Sequence, residues 1–182
     1  MSLPIFIRDA LSDDIPVCLA LDLSYETERV WQMTFQPETG NRGILFRTER
    51  LPRPMTVPYP ADERRLRLCL SKKHCFLVAQ TKADNRLVGY LTMRAMPTHR
   101  MALIQDIAVS ELYRKQGVGL RLLNVARRWA MEHEFAQLQV ETQTKNYPAI
   151  QFLQKNGLAF CGFNDQYFRN GDIAVFFGQP LK

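Results

Sequence analysis

A chain of 182 residues, 46% apolar and 23% charged, is long enough to close a core and too apolar for a disordered segment. Its net charge of +6 favours anionic partners in general, but the Lys and Arg residues are scattered rather than gathered into the stripe a nucleic-acid binder needs. No apolar run approaches the ~20 residues of a membrane span. The start, Met1 to Arg8, has no basic leader before a long apolar stretch, so no signal peptide is expected.

In chain order, Ile5 to Arg8 reads as a short strand. Ser12-Asp13-Asp14 then opens a helix ending near Leu23, with a capping side chain and acids in the first turn. Arg29 to Phe35 alternates strictly as a half-buried strand, Pro37 to Gly43 supplies turn residues, and Ile44 to Thr48 returns. Four prolines between Pro52 and Pro60 predict a loop. Asp62 to Lys72 follows as a short helix with Leu66 and Leu70 on one face. Strands are expected at Cys75–Gln80 and Leu87–Met96 across a polar turn, and a third apolar run spans Ala102–Val109.

Gly117 to Glu132 is the clearest helix, with Val118, Leu122, Val125, Ala126 and Trp129 as its apolar stripe. Leu138 to Glu141 is a strand. Asn146 to Asn156 is a helix with a capping Asn, Pro148 in its first turn and Gly157 past its end. Leu158–Phe163, Tyr167-Phe168, an Asn170-Gly171 hairpin turn and Ile173–Phe177 close the chain. No repeat or linker divides it, so a single domain over 1–182 is expected, of α/β or α+β class on a mixed sheet.

Chemistry concentrates where strand 102–109 meets the following helix through Arg114-Lys115-Gln116-Gly117-Val118-Gly119. Glycines at a helix entry let backbone N–H groups close around an anion, and Arg114 and Lys115 add charge suited to a pyrophosphate. Two glycines relaxing a turn explain the same residues without a ligand. The loop is neither a Walker A motif nor a GxGxxG, since Leu122 takes the third glycine position. Cys18, Cys69, Cys75 and Cys161 lack ligand spacing and read as reduced thiols of a cytosolic protein. His74, His99 and His133 also lack it, so no metal site is expected. Trp31, Met33 and Phe35 fit either an acceptor-site wall or one face of a buried strand. Arg64-Arg65-Leu66-Arg67 reads as a solvated helix face.

The pattern Arg-x-x-Gly-x-Gly shortly after Ile107-Ala108-Val109 resembles the acetyl-CoA loop of the GNAT superfamily of acetyltransferases. Glu141 to Ile150, followed by Phe152, Leu153, Lys155 and Gly157, is similar to that superfamily's fifth strand and fourth helix. The resemblance spans residues 75–178. Glu141-Thr142-Gln143-Thr144, Asn146, Pro148-Ala149 and Cys161-Gly162-Phe163 also resemble streptothricin (nourseothricin) acetyltransferases, as do Leu21-Asp22, the strand pair around Arg29–Phe46 and Tyr59 to Glu63.

The resemblance implies a mostly antiparallel sheet of about seven strands flanked by helices, its fourth and fifth strands splayed. It implies direct transfer of an acetyl group from acetyl-CoA to a primary amine of a small molecule, such as a streptothricin-like antibiotic, hence a role in antibiotic resistance in the cytoplasm. Backbone groups of Ile107, Ala108 and Val109 would hold the pantetheine arm, Arg114, Lys115, Gln116, Gly117, Val118 and Gly119 the pyrophosphate, and Asn146 would cap its helix and reach the cofactor. Glu141 is the candidate general base, with Asp106 behind it. The superfamily's thiol-protonating tyrosine position holds Leu153, which leaves Tyr167, Tyr147 or water as proton donor. A protein N-terminus or lysine as acceptor, or a CoA-binding module without turnover, stay open. Dimers are common in the superfamily, so a homodimer stays open too. Neither a nucleic-acid nor a membrane partner is expected.

Overall fold

The computed structural model describes residues 3–38 and 41–182. Thr39 and Gly40, at the centre of the turn expected over 37–43, lie outside the described residues, as do Met1 and Ser2.

The N-terminal half runs β1 (Ile5–Asp9), α1 (Asp14–Ala20), β2 (Tyr25–Glu38), β3 (Asn41–Val57), α2 (Glu63–Cys69), β4 (Cys75–Thr81) and β5 (Leu87–Met96). The C-terminal half runs β6 (Met101–Val109), α3 (Val118–Glu132), β7 (Gln137–Gln143), α4 (Tyr147–Lys155), β8 (Ala159–Asn164) and β9 (Ala174–Pro180). Seven strands form one sheet in the order β1-β4-β5-β6-β7-β9-β8, while β2 and β3 pair as a separate ribbon. Only β6 and β7 run parallel in the sheet, because α3 carries the chain back across its face between them; the other neighbours are antiparallel. This is the mixed, mostly antiparallel α/β architecture expected from the sequence.

Period-two alternation gives the sheet two apolar faces. One packs under α3 and α4, where Leu122, Leu123, Ala126, Ala130, Ile150 and Leu153 meet Leu91, Met93, Ile104, Leu138 and Val140. The other packs under α1 and α2, where Ile15, Cys18, Leu66 and Cys69 meet Phe76, Val78, Tyr90 and Ala108. Burial pushes the thiols of Cys18, Cys69 and Cys75 up to about 12, 11 and 12, which keeps them protonated and unreactive near neutrality. The ribbon is pinned by Trp31, whose main-chain N–H donates to Thr144 O at 2.9 Å and whose ring packs on Phe46, Phe160 and Phe177. Trp31 is therefore half-buried against the edge of the core, and Phe35, 58% exposed, lines no buried wall.

Four local expectations change. The prolines do not end β3: Pro52 and Pro54 lie in the irregular stretch between the pairs Arg29↔Arg50 and Thr27↔Met55, where the ladder needs no N–H from them. Asp13 makes no capping bond to α1; Asp14 instead accepts from Leu11 N–H at 2.7 Å and is ion-paired with Arg8. Val125 faces solvent, and Leu123 and Ala130 take its place in the α3 stripe. Asn170-Gly171 is not a two-residue hairpin: residues 165–173 form one longer connection from β8 to β9.

Candidate active site

The site begins where β6 and β7 part. Their parallel ladder runs from Met101↔Gln137 to Ile104↔Val140 and stops. On the opposite edge, β6 pairs with β5 at Met93↔Ile104 and next at Thr92↔Asp106, so Gln105 is an extra, bulged residue. A bulge sharpens strand twist and re-aims side chains, and here it coincides with the end of the β7 ladder. Beyond it, residues 105–109 of β6 have no β7 partner, while 141–143 of β7 pair only with β9. A wedge with free main-chain edges results.

At the mouth of the wedge the chain turns into α3. Lys115 (φ 59°) and Gly117 (φ 84°) are both left-handed, and Gly117 caps α3 with no side-chain bond to the first-turn N–H groups. Those amides form the positive end of a helix of 15 residues. A Cβ on Gly117 would meet no atom within 4 Å, and one on Gly119 only ordinary contacts with Phe152 and Val109. Gly117 therefore leaves space above the helix end, Gly119 packs against Phe152 and Val109, and neither relieves a clash inside the protein. Arg114 is committed in part, since its Nε donates to Val109 O at 3.0 Å, and Gln116 donates to Leu112 O at 3.0 Å. Asn146 caps α4 by accepting from Ala149 N–H at 3.1 Å. An uncapped helix end, two basic side chains and an unpaired strand edge fit a phosphate-bearing, extended cofactor.

At the closed end lies Glu141, the first β7 residue past the last β6 pair and only 6% exposed. Its Oε2 accepts from the Tyr167 hydroxyl, which the 165–173 connection carries across the strand ends. Burial pushes the Glu141 carboxyl up to about 7, against the hydrogen bond from Tyr167 and the charge of Arg65, which lower it; Asp106 adds to the rise. Burial and the adjacent carboxylate likewise push the Tyr167 phenol up, so it stays a donor at neutral pH. The structure thus brings together Glu141 and Tyr167, separated by 26 positions.

Asp106 does something else. Fully buried, it accepts from the Tyr59 hydroxyl at 2.6 Å and Arg65 Nη2 at 2.7 Å on one oxygen, and from Thr92 on the other. With both oxygens occupied it is an anchor tying α2 and the segment before it to the sheet, not a free base. Arg65 is correspondingly not solvated: its side chain is 18% exposed, and the proximity of Asp106 holds it charged although burial opposes this. One signal for this pair was present in the sequence, since an Asp inside the apolar run 102–109 must find a buried partner. Nothing in Arg64-Arg65-Leu66-Arg67 singles out which arginine that is. Leu153 is buried in the core, 2% exposed, and takes no part. No group of three or more His, Cys, Asp or Glu among the described residues is placed to hold a metal, and no helix among them is long and apolar enough to cross a membrane.

The model of the acetyltransferase (GNAT) family matches residues 44–158 of the chain. Streptothricin acetyltransferase A of Bacillus subtilis (strain 168) is 36% identical over 97 residues, which make up 51% of this chain and 56% of that protein. The chain spans about half the length of the curated relatives it matches. The crystal structure of a nourseothricin acetyltransferase aligns with a TM-score of 0.84 at 25% identity, over 98% of this chain and 99% of that one. A structure from Bacillus anthracis str. Ames, provisionally named a streptothricin acetyltransferase and in complex with acetyl coenzyme A, aligns at 0.79 over 99% of this chain and 100% of that one. Its 22% identity carries the fold alone.

Proposed function

The chain belongs to the acetyltransferase (GNAT) family, and on that footing we propose that it transfers an acetyl group from acetyl-CoA directly to a primary amine of a small molecule, with a streptothricin-like antibiotic as the acceptor class. Resistance to that antibiotic would be the consequence, and the cytoplasm the setting. The observation that carries the reading is a buried carboxylate, Glu141, in none of the ion pairs among the described residues, at the closed end of a strand wedge whose mouth is a basic, uncapped helix end.

Acetyl-CoA, when bound, supplies a thioester that an amine can attack without an acyl-enzyme. Amides of Val118 and Gly119 with Arg114 and Lys115 would hold its pyrophosphate, and main-chain groups of Ile107 to Val109 its pantetheine arm. An alkylammonium of pKa about 10 is not nucleophilic until it loses a proton. Asp106 and Arg65 neutralise one another, so Glu141 is the excess negative charge that draws the cation in. Its raised pKa then makes it a better proton acceptor than an exposed carboxylate. Tyr167, already donating to Glu141, passes its own proton toward a leaving thiolate and regains one from the protonated carboxyl. The nitrogen loses its second proton to solvent as the tetrahedral intermediate collapses to amide and thiolate, so the pair restores its starting state in each cycle, and no tyrosine at position 153 is required.

Calorimetric titration with acetyl-CoA, followed by thiol release with streptothricin, a simple diamine and a peptide bearing a free N-terminus, tests the reading. Binding with streptothricin-dependent release supports it. Release with the peptide alone moves the acceptor to protein N-termini, and absence of acetyl-CoA binding removes the cofactor site.

A further inference from the structure

Gln105 occupies the one position where the two strand walls meet, and the proposed reaction as described makes no use of it. It is the bulged residue of β6, lies one step past the last β6–β7 pair, and stands across the wedge from Glu141. The Gln105 amide is close enough to the Glu141 carboxyl and the Tyr167 hydroxyl to lower the pKa of both. The oxygen on the same planar amide, Oε1, is buried beside the pair with no hydrogen-bond partner in the protein. A buried amide oxygen without a partner is costly. Arg65 Nε is also unpartnered, but it belongs to a cation that can only donate; among the described residues Gln105 Oε1 is the unpartnered amide oxygen beside the candidate base.

Resting on the acetyl-transfer reading, we propose that Gln105 is the residue that orients the acceptor amine, its Oε1 taking one ammonium N–H while Glu141 takes another. The bulge gives this arrangement its physical reason. Without the extra residue, Gln105 would sit in a continuous ladder; with it, the amide is turned to the apex where the strands separate. An ammonium held by two acceptors has no lone pair; once Glu141 removes one proton, Gln105 Oε1 keeps hold of a remaining N–H while the nitrogen turns its freed lone pair toward the thioester side. A primary or secondary ammonium has the two N–H groups that these acceptors need, and a tertiary one does not.

Gln105→Leu removes the acceptor oxygen and Gln105→Glu keeps one. Losing a hydrogen bond to a charged partner corresponds to about a tenfold to hundredfold weakening. Gln105→Leu is expected to raise the KM for streptothricin by that factor while its acetyl-CoA affinity, measured by calorimetry, stays at the wild-type value. Gln105→Glu is expected to return KM to within a few-fold of wild type, and to move the acid limb of the rate profile to higher pH because a second carboxylate then faces Glu141. Both variants are checked for wild-type thermal unfolding. A KM for streptothricin unchanged in a folded Gln105→Leu, or raised equally in Gln105→Glu, overturns the role of Gln105 alone. A wild-type protein that binds acetyl-CoA but releases no thiol with any amine overturns the acetyl-transfer reading, and the role of Gln105 with it.

Discussion

The two ends of the wedge are built in opposite ways. The mouth is local: Arg114 to Gly119 are consecutive, and what they offer is main-chain N–H groups, two left-handed residues and an uncapped helix end. The closed end is assembled from distant segments, with Tyr59 and Arg65 reaching Asp106 from 47 and 41 positions away and Tyr167 reaching Glu141 from 26. A backbone-built anion site tolerates side-chain change but not a change of φ. A side-chain-built carboxylate site depends on every partner being in place, because each charge there is dry. Damage at one end should therefore leave the other measurable.

Glu141→Gln should have the largest effect, and only on turnover. Removing a general base costs about 10²- to 10⁴-fold, with acetyl-CoA affinity by calorimetry unchanged. Since Glu141 must be ionised and titrates at about 7, wild-type rate should fall with each pH step below neutrality, and the deficit of the variant should be greatest above it. Stability should move the other way. A carboxyl ionising at about 7 when folded and at about 4.3 when unfolded binds more protons in the native state between those values. The wild type therefore loses stability as pH rises through that window. Denaturant titrations should show the variant more stable above pH 7, by up to about 4 kcal/mol, with the gain gone below about pH 4.

Arg65→Met comes next, and it acts on stability. It strands the Asp106 charge in the interior, where breaking a buried pair costs about 3–5 kcal/mol. The double variant Arg65→Met/Asp106→Asn, which removes the charge but keeps an acceptor for Tyr59 and Thr92, should recover most of the loss in urea unfolding. If the single variant loses less than about 1 kcal/mol, the pair is not the anchor of the closed end.

The smallest loss of stability belongs to the mouth. Gly117→Val forces a β-branched residue to adopt the left-handed conformation, at a cost of about 1–2 kcal/mol. Its side chain would also occupy the open space above the helix end, so acetyl-CoA binding should be lost while the hydrogen-bonded Glu141–Tyr167 pair is kept. Retained acetyl-CoA affinity in a folded Gly117→Val would move the pyrophosphate away from this loop.

Much of this was legible in the residues. The Asn146 cap with Pro148 and Gly157 and the glycine loop are short-range patterns that appear where their spacing puts them, and α3 forms as expected with its stripe shifted from Val125 to Leu123 and Ala130. Glu141 and Tyr167 were legible as candidates, but not their hydrogen bond. The prolines of β3 misled because the rule against proline applies to paired positions, and an irregularity in a ribbon is not written in either strand alone.

By itself the sequence determined the elements, the mouth of the wedge and the family resemblance, because backbone conformation and helix ends answer to neighbours a few residues away. Only the tertiary structure decided that Gln105 is the bulged residue, that the β6–β7 ladder stops beside it, that Arg65 is the arginine brought inside, and that Glu141 is buried enough to titrate near neutrality. Those outcomes depend on desolvation and on charges brought together across the fold. Both are properties of the packed molecule, which no single segment of the chain carries.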